Sequence, residues 1–127
     1  MRLEPDLALI RLLDQRPPKA IWTTAVTLFE IRYGIERLPE SRRRNELEEG
    51  FQRAFDHVFD DRLLPFDNDA AHSAAVLSAD RTRRGQTMEM RDTMIAGIVV
   101  SRGAEFATRN VRHFADLGVN VIDPWVA

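Results

Sequence analysis

The chain contains no cysteine. That single absence excludes a disulfide framework, a thiolate zinc site and a cysteine nucleophile, so any bound metal must be held by oxygen or imidazole ligands. Long apolar runs are also missing: no stretch approaches the roughly 18 consecutive residues of a membrane span. The opening Met1-Arg2-Leu3-Glu4-Pro5-Asp6 lacks the apolar centre of a signal peptide, so the expected location is the cytoplasm, with no membrane partner. Charge of one sign is lacking too. With a formal net charge of −2, no global field draws the chain to nucleic acid, and any such contact must be local. Lysine is nearly absent: Lys19 stands alone, and every other basic side chain is an arginine.

What is present is ordinary for a folded protein, with 44% hydrophobic and 30% charged residues. A length of 127 residues suits one domain spanning 1–127, with a real core and one site. The arginines cluster at Arg42-Arg43-Arg44, at Arg81, Arg83 and Arg84, and at Arg109 with Arg112. Glu46, Glu48 and Glu49 beside the first cluster favour a solvated, ion-paired helix face there.

Leu7, Ile10 and Leu13 recur at helical spacing over Asp6–Arg16, and Pro17-Pro18 ends that helix. Ile21–Val26 favours a strand that runs into a helix from Leu28 to Ile35. Further helices are expected over Ser41–Phe59, from Asp67-Asn68-Asp69 toward Arg84 with Gly85 as the stop, and over Arg91–Val100 up to Gly103. Short strands are expected at 62–66, 105–108 and 119–122, with a loop or turn around His113 and Gly118. This alternation predicts a layered α/β fold with a mainly parallel sheet.

Thr27-Leu28-Phe29-Glu30 has the form of a capping box, which on its own makes Glu30 structural. Its place after a strand, at the carboxyl edge of the sheet, keeps a chemical role open. Asp92 reads as a helix-opening carboxylate and Asn110 as a residue at a strand end. Together the three supply oxygen ligands suited to a hard dication such as Mg²⁺ or Mn²⁺. The three histidines, His57, His72 and His113, have no zinc-binding spacing, and phosphate-loop, dinucleotide and serine-elbow motifs are absent. His113 lies three residues after Asn110, close enough in sequence to face a substrate.

The stretch Thr23–Ile35, the segment Leu64-Pro65-Phe66-Asp67, the run Arg91–Ala96 and the block Ala107–Phe114 together resemble the PIN-domain family, most closely the VapC-type toxins of bacterial toxin–antitoxin pairs. The resemblance implies a three-layer PIN-like fold and a Mg²⁺-dependent endoribonuclease that cleaves RNA with metal-activated water. It implies Glu30, Asp92 and Asn110 as the catalytic set and Glu30 and Asp92 as metal ligands; Arg109 and Arg112, which flank the suspected site, together with His113 and Thr27, are read as the substrate contacts. It further implies a VapB-like antitoxin, an RNA substrate and a homodimer. Members of this family usually open on a strand reading like Leu-Asp-Thr-Asn, whose aspartate is the first metal ligand. Met1–Asp6 matches instead the stretch after such a strand, so the expectation is a chain one strand and one carboxylate short. The alternative function is a catalytically inactive toxin that binds an antitoxin or partner subunit.

Overall fold

The structure is a computed structural model and describes residues 22–107 and 111–122. The expected helix over Asp6–Arg16 and the start of the first expected strand lie outside the described residues. The chain divides into two compact units, residues 1–64 and 65–127.

In the first unit, β1 (Thr23–Thr24) leads directly into α1 (Ala25–Glu36), followed by α2 (Arg42–Phe59) and β2 (Leu63–Leu64). β1 and β2 pair in parallel, Thr23 opposite Leu63 and Thr24 opposite Leu64. The strand is shorter than its β-branched composition predicts because Thr24 ends it. Extended at φ −111° and ψ 154°, Thr24 accepts a hydrogen bond from the Thr27 N–H at 2.9 Å and starts the helix. This corrects the expected capping box: Thr24, not Thr27, is the cap, and Glu30 lies a full turn inside the helix. Ser41 caps α2 through the Arg44 N–H at 3.1 Å, and Asp60 at φ 43° closes it. Along α2, Phe51, Phe55 and Phe59 make successive tilted ring contacts at 5.4 and 5.2 Å. Arg32 reaches from α1 to this helix, bonding Gln52, pairing with Glu48 at 3.6 Å and lying 5.3 Å from the Phe51 ring centroid.

The second unit contains α3 (Asn68–Arg83), α4 (Met90–Arg102), β3 (Phe106–Ala107), α5 (Val111–Phe114) and β4 (Val121–Ile122). Of the candidate caps, Asp67 is the one used, accepting from the Ala70 N–H at 2.9 Å. Gly103, at φ 61°, stops α4 where expected. β3 and β4 are again parallel, Phe106 opposite Val121. The segment expected as a loop or turn around His113 holds the one-turn helix α5. Phe114 explains it: the ring is 2% exposed and meets Phe106 edge-on at 4.9 Å, so the turn is wound by burying it. Ala96, Phe114 and Leu117 form a core, with Leu77, Met88 and Val121 among the side chains against it.

α3 and α4 cross at close range. A Cβ placed on Gly97 would fall 2.5 Å from the Ala70 carbonyl oxygen and 2.7 Å from the Ala74 Cβ. Only a residue without a side chain lets the two backbones approach this closely. The effect is to seat α4, with Ile95, Ala96, Ile98 and Val99 buried along it, firmly against its neighbour.

Candidate functional site

Glu30 belongs to the first unit and is half-buried on α1. Thr27, three residues earlier and therefore on the same side of the helix, is tied down by Thr24: its N–H and hydroxyl both meet the Thr24 Oγ1, at 2.9 and 2.8 Å. A side chain held this way is a fixed part of the surface beside Glu30.

Asp92 belongs to the second unit, third residue of α4 and half-buried. The helix does not open on Asp92, as expected, but on Glu89. The Glu89 carboxylate accepts from the N–H groups of Arg91 at 2.9 Å and Asp92 at 3.2 Å, and pairs with the Arg91 Nε at 3.1 Å. Desolvation pushes the Glu89 carboxyl upward, but the Arg91 and Asp92 hydrogen bonds and the Arg91 charge outweigh it and hold it below its ordinary value. At the third helical position Asp92 lies at the positive end of the helix dipole. Sequence reasoning missed Glu89 because serine, threonine, aspartate and asparagine are the usual caps. The signal available was a carboxylate three residues ahead of another at the start of an apolar run.

The remaining predicted residues divide in two groups. Arg112 is exposed on α5, and His113 is in the same turn. Arg109 and Asn110 lie outside the described residues. Glu30, Asp92 and Asn110 offer the hard oxygen donors that Mg²⁺ or Mn²⁺ prefers, so the donor chemistry fits. Among the described residues no three His, Cys, Asp or Glu side chains form a cluster that would hold a metal.

Paired parallel strands alternating with capped helices define an α/β protein, and α4 carries an aspartate in its first turn. The PIN domain family model matches residues 4–120. A VapC ribonuclease from Sinorhizobium fredii is 31% identical over 124 residues, covering 98% of this chain and 89% of that protein. The chain belongs to the PIN-domain family, among its VapC-type members. The crystal structure of FitAcB from Neisseria gonorrhoeae superposes with a TM-score of 0.86 at 26% identity, covering 99% of this chain and 91% of that one. DNA-bound VapBC from Salmonella typhimurium gives 0.74 at 26% identity, with 94% and 86% covered. The expected PIN-like α/β fold is the fold found.

Proposed function

We propose that this chain is an endoribonuclease of the VapC toxin type, cutting RNA with a metal-activated water and paired in the cell with a VapB-like antitoxin. The observation that supports this most is the match along 98% of the chain to a protein named VapC ribonuclease. Similarity to the FitAcB and VapBC complexes supports the antitoxin partner. A homodimer and a cytoplasmic location belong to the same reading; no described helix is long and apolar enough to cross a membrane.

Glu30, Asp92 and Asn110 would hold Mg²⁺ or Mn²⁺. When bound, the cation supplies a Lewis acid for the phosphate and lowers the pKa of a coordinated water. The chain's own residues do the rest. Asp92 sits in the first turn of α4, and Glu89 holds the backbone at that turn. Glu30 or Asp92 accepts the hydrogen bond that orients water for in-line attack. Asn110, being an amide, ligates or orients but takes no proton. Thr27, Arg109, Arg112 and His113 are the proposed substrate contacts, the arginine forks suited to phosphate oxygens.

Purified protein incubated with RNA, with Mg²⁺ or with EDTA, tests the reading. Metal-dependent cleavage is expected, and Asp92→Asn should lower it about a hundredfold or more, the scale of one lost metal ligand. Absence of cleavage by the folded wild type would instead favour the inactive, partner-binding toxin.

A further inference from the structure

Two side chains on α1 and the residue that caps its end, none used by the catalytic reading, form a stripe. Phe29 and Tyr33 are 56% and 50% exposed, unusual for large aromatic groups, and their rings stack at 6.1 Å with planes 17° apart. Arg37 continues the line, its guanidinium carbon 5.7 Å from the Tyr33 ring centroid. The spacing is i, i+4, i+8, so the stripe runs along the helix and drifts slowly around it.

We propose that Phe29, Tyr33 and Arg37 are a stacking platform for unpaired bases of an RNA strand, placed to seat nucleotides next to the scissile phosphate. The proposal rests on the ribonuclease reading for its substrate, and three observations carry it further. The first is charge. Arg32, Arg42 and Arg44 on the same two helices are all engaged with glutamates, whereas Arg37 makes no ion pair among the described residues, and its cation stays available to a phosphate. The second is shape: flat, exposed π faces capped by a guanidinium plane are the surfaces on which single-stranded bases stack, whatever their sequence.

The third is position. At 100° per residue, Phe29, Tyr33 and Arg37 stand about 100°, 60° and 20° from the line of Glu30 around α1. The stripe therefore converges on the side of the helix that carries the candidate ligand. Along the axis Tyr33 is about 4.5 Å and Arg37 about 10 Å beyond Glu30. Such lengths are roughly one to two nucleotides of extended single strand. A strand with its phosphate at Glu30 and running toward Arg37 would thus have its next base over the Tyr33 ring, with the Phe29 ring stacked behind it. A protein segment or a second copy of the chain is the competing occupant.

Binding and cleavage are measured separately on the full chain. A short fluorescein-labelled single-stranded RNA of mixed sequence is titrated by anisotropy in EDTA, and the same RNA is then incubated with Mg²⁺. Phe29→Ala with Tyr33→Ala should weaken binding about tenfold or more, the scale of losing stacked bases. Tyr33→Trp should retain affinity, its indole emission quenched by RNA, and the duplex form should bind more weakly than the single strand. Circular dichroism confirms that the variants are folded. Unchanged affinity in the double alanine variant, equal loss in Tyr33→Trp, or no single-strand binding by the wild type would overturn the platform. So would sedimentation showing that the variants break a dimer, or lose an antitoxin, while RNA affinity holds. If the wild type binds through the stripe but does not cleave, the ribonuclease reading fails and the platform stands. If cleavage persists and the double variant binds as before, the reverse holds.

Discussion

At Gly97 a single hydrogen atom in place of a side chain decides how closely α3 and α4 meet. Alanine gains about 1 kcal/mol of helix propensity over glycine, but here its methyl would collide with the Ala70 carbonyl. Overpacking of this kind costs about 1–3 kcal/mol, so Gly97→Ala should lower the urea midpoint, and Gly97→Val more so. Glu89 allows a second residue-level prediction. Its carboxyl is held below its ordinary value of 4.5, so the stability it contributes is fully present above that pH and is lost as pH falls through the lower folded-state value. Glu89→Gln should therefore differ from wild type in urea melts at neutral pH and converge with it in strong acid. A gap that persists unchanged in acid would show that the charge is irrelevant to the cap.

Between elements, α3 is fastened to the turn after α5 by charge. The Arg81 Nη2 lies 2.6 Å from Asp116, with Arg84 at 3.3 Å from the other oxygen. Arg81 is nearly buried while Asp116 is half exposed, so water screens one end of the pair. Asp116→Ala is expected to cost about 1–2 kcal/mol, measured as a drop in thermal midpoint, with Arg81→Ala costing more because its aliphatic stem is packed. Elements of this size were the legible part of the sequence. The helix after Asp67 and the apolar helix ending at Gly103 carry their own caps and stops, which are local chemistry. The strands were less legible: Leu63-Leu64 and Phe106-Ala107 are two residues long, too short for an alternating pattern, and they exist because a distant partner completes their backbone hydrogen bonds. The starts of α1 and α4 were misplaced because two different residues competed to cap each. Thr24 won over Thr27 and Glu89 over Asp92, and only the geometry of the free N–H groups decides between them.

For the molecule as a whole, family membership was legible because Thr23–Ile35, Arg91–Ala96 and Ala107–Phe114 occur in one order and spacing, which a periodicity argument alone would not weigh. The proposed site was readable only as candidate residue types, Glu30 and Asp92, and not as a constellation, since its members stand far apart in sequence. A net charge of −2 also bounds how the chain meets RNA. If Arg37, Arg109 and Arg112, the proposed RNA contacts, each neutralise one phosphate, the slope of log affinity against log salt for a single strand should be shallow, about −2. A slope several times steeper, measured by anisotropy over a salt series, would reveal a broad basic surface that this composition does not lead one to expect.

The tight crossing at Gly97 also has a genetic meaning. Asp92 rides on the helix that this crossing seats, five residues from the contact, so the carboxylate is only as well placed as the packing beneath it. A toxin of the proposed kind is hard to propagate in active form. An allele with a methyl at residue 97 would keep every proposed ligand in the gene yet lose its hold on one of them as cultures warm, giving a switch worked by incubator temperature instead of by an antitoxin.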